Sequence, residues 1–455
     1  MRRSDLPDGF VIGTATASYQ IEGATREAGR GDSIWDTFAR SPGVIADGST
    51  GDVADDHFHR SEEDVALMAD LGFQAYRFSI AWPRIQADGT GAPNPAGIDF
   101  YRRLAESLLE RGVTPWATLY HWDLPQALED RGGWLSRDTA LRFADYSAHV
   151  AEQLGDVITD WITLNEPWCS SFLGYASGHH APGLSVGSAS AHAAHHLLLG
   201  HGLALEALRG LRPNARVGTT LNLYAVEPAG DSEADLDAAR RIDGLSNRLF
   251  LEPVLRGVYP ADVLDDLGET DWFAENATDD DLRRISAPID FLGINYYSRH
   301  TVAAGSAPAG AAGSASAYPG SEHVRFVSTG APVTRMGWEI HPDGMLDVIR
   351  MAHALAPELP LFITENGAAF DDHVEADGGI DDAERTEYLR SHFAAAREAV
   401  DANLPLRGFF VWSLMDNWEW AWGYSRRFGI VHVDYETQKR TPKRSAHWIA
   451  EFLRA

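Results

Sequence analysis

Residues 75–80 read AYRFSI and residues 114–119 read TPWATL, and a longer amphipathic stretch separates these two short β-rich runs. This is the pattern of a βαβ unit, in which a crossover helix connects two parallel strands. The same alternation continues in both directions along the chain. Eight β-rich runs result, at residues 10–14, 75–80, 114–119, 157–164, 217–222, 289–295, 361–364 and 408–413.

Eight strands that each precede helical sequence predict a closed α/β barrel of the (β/α)8, or TIM, type, although periodicity alone also permits an open doubly wound sheet with extra strands. No linker separates autonomous halves, so residues 1–455 are expected to form a single barrel domain with extended loops at its C-terminal face. One such segment is 303–320, AAGSAPAGAAGSASAYPG, which follows the sixth run. It is too poor in large apolar side chains for a core and is predicted to be a solvated loop.

The charge balance argues against polyanionic partners. The chain has 38 Lys and Arg against 66 Asp and Glu, a formal net charge of −28, which repels nucleic acids and anionic membrane surfaces. No apolar run approaches the roughly 18 residues that a membrane-spanning helix needs. The N-terminal MRRSDLPDGF also lacks the continuous apolar stretch of an export signal. We therefore expect a cytoplasmic protein that binds neither nucleic acid nor membrane.

Metal and cofactor sites are not indicated by the sequence. The single cysteine, Cys169, excludes an intrachain disulfide framework and a Cys-rich zinc module. Several histidines crowd the segment AHAAHHLLLGH at residues 191–201, but the glutamate of an H-E-x-x-H metal-binding motif is missing. They are interpreted as helix-packing residues, and neither a metal nor a cofactor is expected.

Two glutamates stand at the ends of predicted strands. Glu166 follows the fourth run in TLNEP, and Glu365 follows the seventh in ITENG. Because the carboxyl ends of all barrel strands meet at one mouth, these side chains are expected to face a single cavity. The alternative is that each is a helix-capping or loop residue, the commoner fate of a single glutamate. Two opposed carboxyl groups are what cleavage of a glycosidic bond requires.

The other strand ends carry side chains that suit a sugar. Polar groups that bind hydroxyls and flat apolar faces that match pyranose rings both occur there. These side chains are Arg77, His121, Trp122, Asn222, Asn295, Tyr297 and Trp412. Four of the 14 tryptophans fall within residues 412–422, interleaved with acidic and amide side chains, which favours a site rim over core packing.

Six ordered blocks of the sequence resemble those of family 1 glycoside hydrolases, the β-glucosidase family. They are FVIGTATASYQIEG (10–23), YHWDLP (120–125), TLNEP (163–167), GINYY (293–297), ITENG (363–367) and WSLMDNWEW (412–420). The resemblance extends over essentially the whole chain. It implies a retaining glycosidase with Glu166 as the general acid/base and Glu365 as the nucleophile.

The resemblance also implies roles for further residues. Arg77, Tyr297 and Asn295 are expected to support the two carboxyl groups, with Arg77 holding Glu365 ionised. The residues expected to bind the glycosyl unit at the cleavage point are Gln20, His121, Trp122, Asn165, Trp412, Glu419 and Trp420. Trp168 and Trp338 resemble platforms for the aglycone. A carboxylate at position 419 would repel phosphate, so an unphosphorylated sugar is expected, although two arginines lie close by at residues 426–427.

The resulting prediction is an exo-acting β-glucosidase that hydrolyses terminal non-reducing β-D-glucosyl residues of short β-glucosides, such as cello-oligosaccharides and aryl glucosides. Side activity on β-galactosides or β-fucosides and a role in cellulose degradation belong to the same prediction. Two alternatives stay open: an endo-acting glucanase on the same barrel, and a non-catalytic sugar-binding homologue. The presence of both carboxyl groups disfavours the second.

Overall fold

The eight predicted strands form a closed parallel barrel. The computed structural model describes residues 2–305 and 315–455. Each barrel strand pairs with its neighbours in chain order, and the first strand pairs with the last. The strands are β1 (Val11–Ala15), β2 (Ala75–Ser79), β3 (Thr114–Tyr120), β4 (Asp160–Asn165), β5 (Arg216–Asn222), β6 (Phe291–Asn295), β7 (Leu361–Asn366) and β8 (Leu406–Trp412). The (β/α)8 prediction is confirmed, and the open-sheet alternative is wrong.

Helices surround the barrel and connect successive strands. The helix Pro95–Glu110, between β2 and β3, begins where the Asn94 side chain accepts a hydrogen bond from the Ala96 amide and a proline occupies the first turn. Its buried side chains, including Ile98 and Tyr101, recur every three or four residues and form one packed face. Among residues 2–305 and 315–455, none of the helices has both the length and the apolar character that a membrane span requires.

The helix bounds follow the predicted alternation of strands and helices. The α-helices are Ser18–Ile21, Ile34–Ala39, His57–Leu71, Trp82–Ile85, Pro95–Glu110, Gln126–Glu129, Arg137–Leu154, Ser190–Leu211, Glu233–Asp243, Leu249–Arg256, Ala261–Leu267, Thr270–Asn276, Asp279–Ile285, Pro342–Leu355, Ala383–Asp401 and Arg444–Arg454. Shorter 3-10 turns occupy Arg3–Asp5, Gly133–Leu135, Gly187–Ala189 and Trp420–Ser425, and π-helical turns occupy Cys169–Ala176 and Gly244–Arg248.

Aromatic rings fill the N-terminal half of the barrel. The ring centroid of Trp116 lies 5.0 Å from that of Phe291, 5.0 Å from that of Phe362 and 5.1 Å from that of Phe410. Gly13 makes room for this layer, because a Cβ there would lie 2.5 Å from carbons of the Phe410 ring. The barrel interior is therefore a packed core, as expected for this architecture.

The strand limits differ from the predicted ones by up to three residues, and two of them show the cause. β4 begins at Asp160, where its pairing with Arg216 of β5 begins, and residues 157–159 precede it. β7 continues past residue 364 to Asn366, which still pairs with Val411 of β8 across an irregular register. Both differences come from inter-strand pairing, which the local alternation of residues does not reveal.

The segment 303–320 is not a loop throughout, which corrects the predicted loop boundary. Residues 303–304 belong to the strand Arg299–Ala304, which lies between Ala225–Pro228 and Val324–Phe326 in a three-stranded sheet. Val302 and Val324 pack there in a small apolar cluster, a long-range contact that the composition of the segment cannot show. Residues 306–314 of the predicted loop lie outside the described residues. Two further strand pairs are His373–Val374 with Ile380–Asp381 and Val431–Val433 with Arg440–Pro442.

The histidines of residues 191–201 lie on the helix Ser190–Leu211, and each contacts a protein group. His192 pairs with Glu269, His195 with Tyr259, His196 with the Trp134 carbonyl and His201 with Thr163. Helix packing accounts for all four side chains.

Candidate active site

A cavity of about 290 Å³ opens at the carboxyl ends of the barrel strands. The predicted site residues that line it are His121, Trp122, Glu166, Trp168, Asn295, Tyr297, Trp338, Glu365, Trp412, Glu419 and Trp420. The other three, Gln20, Arg77 and Asn165, donate or accept hydrogen bonds at side chains of this lining. The structure thus brings all the predicted site residues together at one mouth.

Glu166 leaves the end of β4 with a left-handed backbone conformation, at a φ of 48°. Its carboxyl group is buried and has two neutral hydrogen-bond donors. The Asn295 amide donates to Oε1 over 2.6 Å, and the Cys169 thiol donates to Oε2 over 3.1 Å. Burial raises the pKa of Glu166, and the neighbouring charge of Glu365 raises it further. The protonated form of Glu166 is therefore favoured.

Glu365 lies within β7 and has a different set of donors. The Arg77 guanidinium donates to Oε1, and the Tyr297 hydroxyl donates to Oε2 over 2.7 Å. Burial raises the pKa of Glu365, while the Arg77 charge and the Tyr297 hydrogen bond oppose that rise by stabilising the carboxylate. Burial and the charge of Glu365 raise the pKa of Tyr297 well above its usual range, so its phenol stays a donor.

The two carboxyl groups therefore ionise in a definite order. Glu365 has a cation as a partner, whereas Glu166 is hydrogen-bonded to an amide and a thiol. Glu365 loses its proton first, and its negative charge then adds to the effect of burial on Glu166. This arrangement favours one carboxylate, on Glu365, and one carboxylic acid, on Glu166, in the same cavity.

A chain of amide groups links the two carboxyl groups. The Oδ1 atom of Asn165 accepts hydrogen bonds from Arg77, over 2.5 Å, and from Asn295, over 3.1 Å. Thr364 donates to Oδ1 of Asn295 over 2.8 Å, which fixes the orientation of that amide. Because Oδ1 of Asn165 accepts from both neighbours, its Nδ2 faces Nε2 of His121 at 3.0 Å. The orientation of each amide is thus set by the next.

His121 presents a free donor as a result of this chain. Its Nε2 accepts the hydrogen bond from Asn165, so the ring proton resides on Nδ1. Burial lowers the pKa of His121 well below its usual value, which keeps the ring neutral. Nδ1 is buried and has no hydrogen-bond partner among the described residues. This N–H is available to a ligand hydroxyl.

Gln20 and Glu419 form a second polar corner of the cavity. The Gln20 amide nitrogen donates to Asn417, Trp418 and Glu419 over 3.0–3.1 Å. Within the ranges that the structure describes, its buried Oε1 has no partner. Burial raises the pKa of Glu419 to about 8. Burial thus favours the protonated form of its carboxyl group, and the expectation that a charge at this position repels phosphate stays a prediction.

The two nearby arginines do not turn toward this corner. Arg427 donates to Asp416 over 2.6 Å and to the Val433 carbonyl over 3.0 Å. The guanidinium carbon of Arg426 lies 4.2 Å from the centre of the Trp422 ring. Neither side chain has a hydrogen bond to Glu419 among the contacts of the described residues.

Aromatic rings form most of the remaining wall. The centroids of Trp122 and Trp420 are 4.5 Å apart, and the ring of His121 is nearly parallel to those of Trp412 and Trp420. Trp338 packs on Tyr297, with centroids 5.4 Å apart. Flat apolar faces alternating with polar atoms suit the two sides of a pyranose ring.

Several lining residues were not singled out as site residues from the sequence. They are Cys169, Leu173, His179, His180, Leu223, Tyr224, Met336 and Phe428. Most come from loops and turns whose paths the strand pattern does not predict. Cys169 could have been found, because it lies three residues after Glu166, and residues three apart in a helical turn share a face.

A family profile described as glycosyl hydrolase family 1 matches residues 2–455. The chain belongs to glycosyl hydrolase family 1. One relative is the bifunctional beta-D-glucosidase/beta-D-fucosidase of Bifidobacterium breve, which is 47% identical over 98% of both chains. Another is the 1,4-beta-D-glucan glucohydrolase of Thermotoga neapolitana, which is 44% identical over 99% of this chain and 98% of the relative. The crystal structure of the psychrophilic beta-glucosidase BglU from Micrococcus antarcticus superposes with a TM-score of 0.95, at 47% identity, covering 100% of this chain and 99% of that chain.

Proposed function

We propose that this family 1 hydrolase is a retaining, exo-acting β-glucosidase. It removes terminal non-reducing β-D-glucosyl residues from short β-glucosides, such as cello-oligosaccharides and aryl glucosides. The observation that carries the proposal is the unequal pair of carboxyl groups: Glu365, bound to Arg77 and Tyr297, and Glu166, with neutral donors, in one cavity. Side activity on β-fucosides or β-galactosides belongs to the same proposal, and the relative from Bifidobacterium breve is named for both glucosidase and fucosidase activity.

The chemistry follows from the order in which the two groups ionise. The Glu365 carboxylate attacks the anomeric carbon while the Glu166 carboxylic acid gives its proton to the departing glycosidic oxygen. A glycosyl ester on Glu365 and the free alcohol result. Because the ester carries no negative charge, the pKa of Glu166 falls. Glu166 then accepts a proton from water, whose oxygen attacks the anomeric carbon and restores the Glu365 carboxylate.

Two of the groups that hold the sugar have no hydrogen-bond partner among residues 2–305 and 315–455. The His121 Nδ1–H donates to one hydroxyl, and the Gln20 Oε1 accepts from another. The protonated Glu419 carboxyl can donate as well as accept, since its pKa lies near 8. Trp122, Trp412 and Trp420 supply the apolar faces for the ring, Asn165 binds the 2-hydroxyl, and Trp168 and Trp338 flank the aglycone.

The glycone in this proposal is unphosphorylated. Selectivity against a 6-phosphate comes from the absence of a matching cation, because Arg427 is bound to Asp416 and Arg426 is stacked on Trp422 in the described structure. That residues 1–455 form one catalytic domain, that the protein is cytoplasmic and that it serves cellulose breakdown stay predictions.

The test is hydrolysis of nitrophenyl β-D-glucoside, with the first-formed glucose anomer identified by NMR. We expect release of nitrophenol and formation of β-glucose first. Glu365→Gln, which removes the charge at nearly constant shape, should abolish release while the protein stays folded. A wild-type protein that binds glucoside without releasing nitrophenol would support the non-catalytic alternative, and α-glucose as the first product would refute the retaining mechanism.

A further inference from the structure

The chain's single cysteine contacts one of the two carboxyl groups. Cys169 lines the cavity with 6% of its surface exposed, and its Sγ lies 3.1 Å from Oε2 of Glu166. Its backbone amide donates to the Glu166 carbonyl over 3.0 Å, so the turn that follows β4 brings the thiol to its own strand-end carboxyl. The mechanism described above gives this contact no role in the proton-transfer steps.

The direction of the hydrogen bond follows from the surroundings of the thiol. Burial and the nearby Glu166 raise the pKa of Cys169 well above its usual range, so the sulfur stays protonated. The S–H group is therefore the donor and the carboxyl oxygen is the acceptor. Asn295 donates to the opposite oxygen, Oε1. The Glu166 carboxyl is thus held from both sides by neutral donors.

We propose that Cys169 is a positioning residue for proton transfer by Glu166. The thiol has two effects on Glu166, both of which rest on the proposed function. It fixes the rotation of the carboxyl group together with Asn295, and it stabilises the carboxylate form that must accept a proton from water in the second half of the reaction. A thiol is a weak donor, so it helps the carboxylate without preventing protonation before the first half.

Other groups also act on Glu166, and the test must leave them in place. The charged or titratable side chains that face it are Glu365 on β7, Arg77 on β2, Tyr224 after β5, Tyr297 after β6 and Glu419 after β8. A substitution at Cys169 changes none of these side chains. A change in the titration of Glu166 in such a variant is then attributable to the lost donor.

The decisive variants are Cys169→Ala and Cys169→Ser. The alkaline limb of the kcat/KM profile reports the acid form of Glu166 in the free enzyme. Removing the donor in Cys169→Ala should move this limb to higher pH, by roughly half a pH unit to one unit. In Cys169→Ser the hydroxyl can still donate, so the limb should stay at the wild-type position or move to lower pH. Ser177→Ala, at the end of the same turn, should leave the profile unchanged.

A second measurement isolates the half-reaction in which Glu166 acts as a base. With dinitrophenyl β-glucoside the leaving group needs no proton, so deglycosylation limits kcat. The ascending limb of the kcat profile should then move to higher pH in Cys169→Ala. If both limbs coincide with those of the wild type while kcat or thermal stability drops, the thiol only fills space and the proposal is wrong. Failure of the proposed function is distinct, because the wild-type protein would then release no nitrophenol.

Discussion

Arg77 is the residue that most clearly distinguishes the two carboxyl groups. It is 1% exposed and donates to both Glu365 and Asn165. Replacing it by Met removes the charge that stabilises the Glu365 carboxylate, so the pKa of Glu365 rises. The acidic limb of the kcat/KM profile, which reports ionisation of the nucleophile, should move to higher pH. At neutral pH kcat/KM should fall by about 100-fold or more.

Arg77→Lys is the matched control for charge. It keeps a cation near Glu365 but cannot bond Glu365 and Asn165 at once, because an ammonium group lacks the planar fork. We expect its acidic limb to stay near that of the wild type while the rate falls. An acidic limb that does not move in Arg77→Met would contradict the assigned role.

The acid/base role of Glu166 can be tested by supplying azide in place of the water that Glu166 activates. In Glu166→Ala the Glu365 nucleophile is intact, so an activated nitrophenyl glucoside still forms the glycosyl ester. Substrates with poor leaving groups need the proton from Glu166, so their hydrolysis rate should fall by about 10²- to 10⁴-fold. Azide needs no base and should restore turnover by attack on the β face. We expect NMR to identify the product as β-glucosyl azide. An α-azide would show that the roles assigned to Glu166 and Glu365 must be exchanged.

At the scale of strands and turns, the seventh strand needs a glycine where it leaves the barrel. A Cβ at Gly367 would lie 1.6 Å from the carbonyl oxygen of Trp412 at the end of β8. Gly367→Ala must therefore push apart two segments that line the cavity. We expect a loss of roughly 3 kcal/mol in the free energy of unfolding, measured by denaturant titration, and reduced glucoside hydrolysis.

Gly210→Ala serves as the control for that prediction. Gly210 lies in the helix Ser190–Leu211, and nothing lies within 4 Å of a Cβ built on it. The free energy of unfolding should stay within about 1 kcal/mol of wild type, or rise, because alanine is the better helix former. Equal stability of the two variants would show that the turn at Gly367 tolerates a side chain.

The strand pattern predicted the barrel because each strand carries its own local signal. It also predicted Glu166 and Glu365 together, since strand ends converge whatever the loops do. What it could not predict depends on contacts distant in sequence. The strand Arg299–Ala304 forms because Val302 packs beside Val324, and the protonated state of Glu419 arises from burial. The orientation of His121 depends on hydrogen bonds among two amides and a guanidinium that come from three strands.

At the scale of the whole molecule, the packed barrel limits where a substrate can lie. Aromatic rings around Trp116 fill the N-terminal half, and the cavity above them, at about 290 Å³, is small for a ligand pocket. A pocket of this size suits one terminal sugar at the carboxyl groups, whereas an endo-acting glucanase needs a groove that accepts chain on both sides.

The products formed from cellopentaose test this directly. If one glucosyl unit occupies the cavity, glucose and cellotetraose should appear first and in equal amounts, because each cleavage removes the terminal residue. Cellotriose should appear only as cellotetraose is consumed, which chromatography of early time points can resolve. Glu365→Gln is the blank for background hydrolysis. Cellobiose and cellotriose formed together from the first time point would indicate internal cleavage and favour the endo-acting alternative.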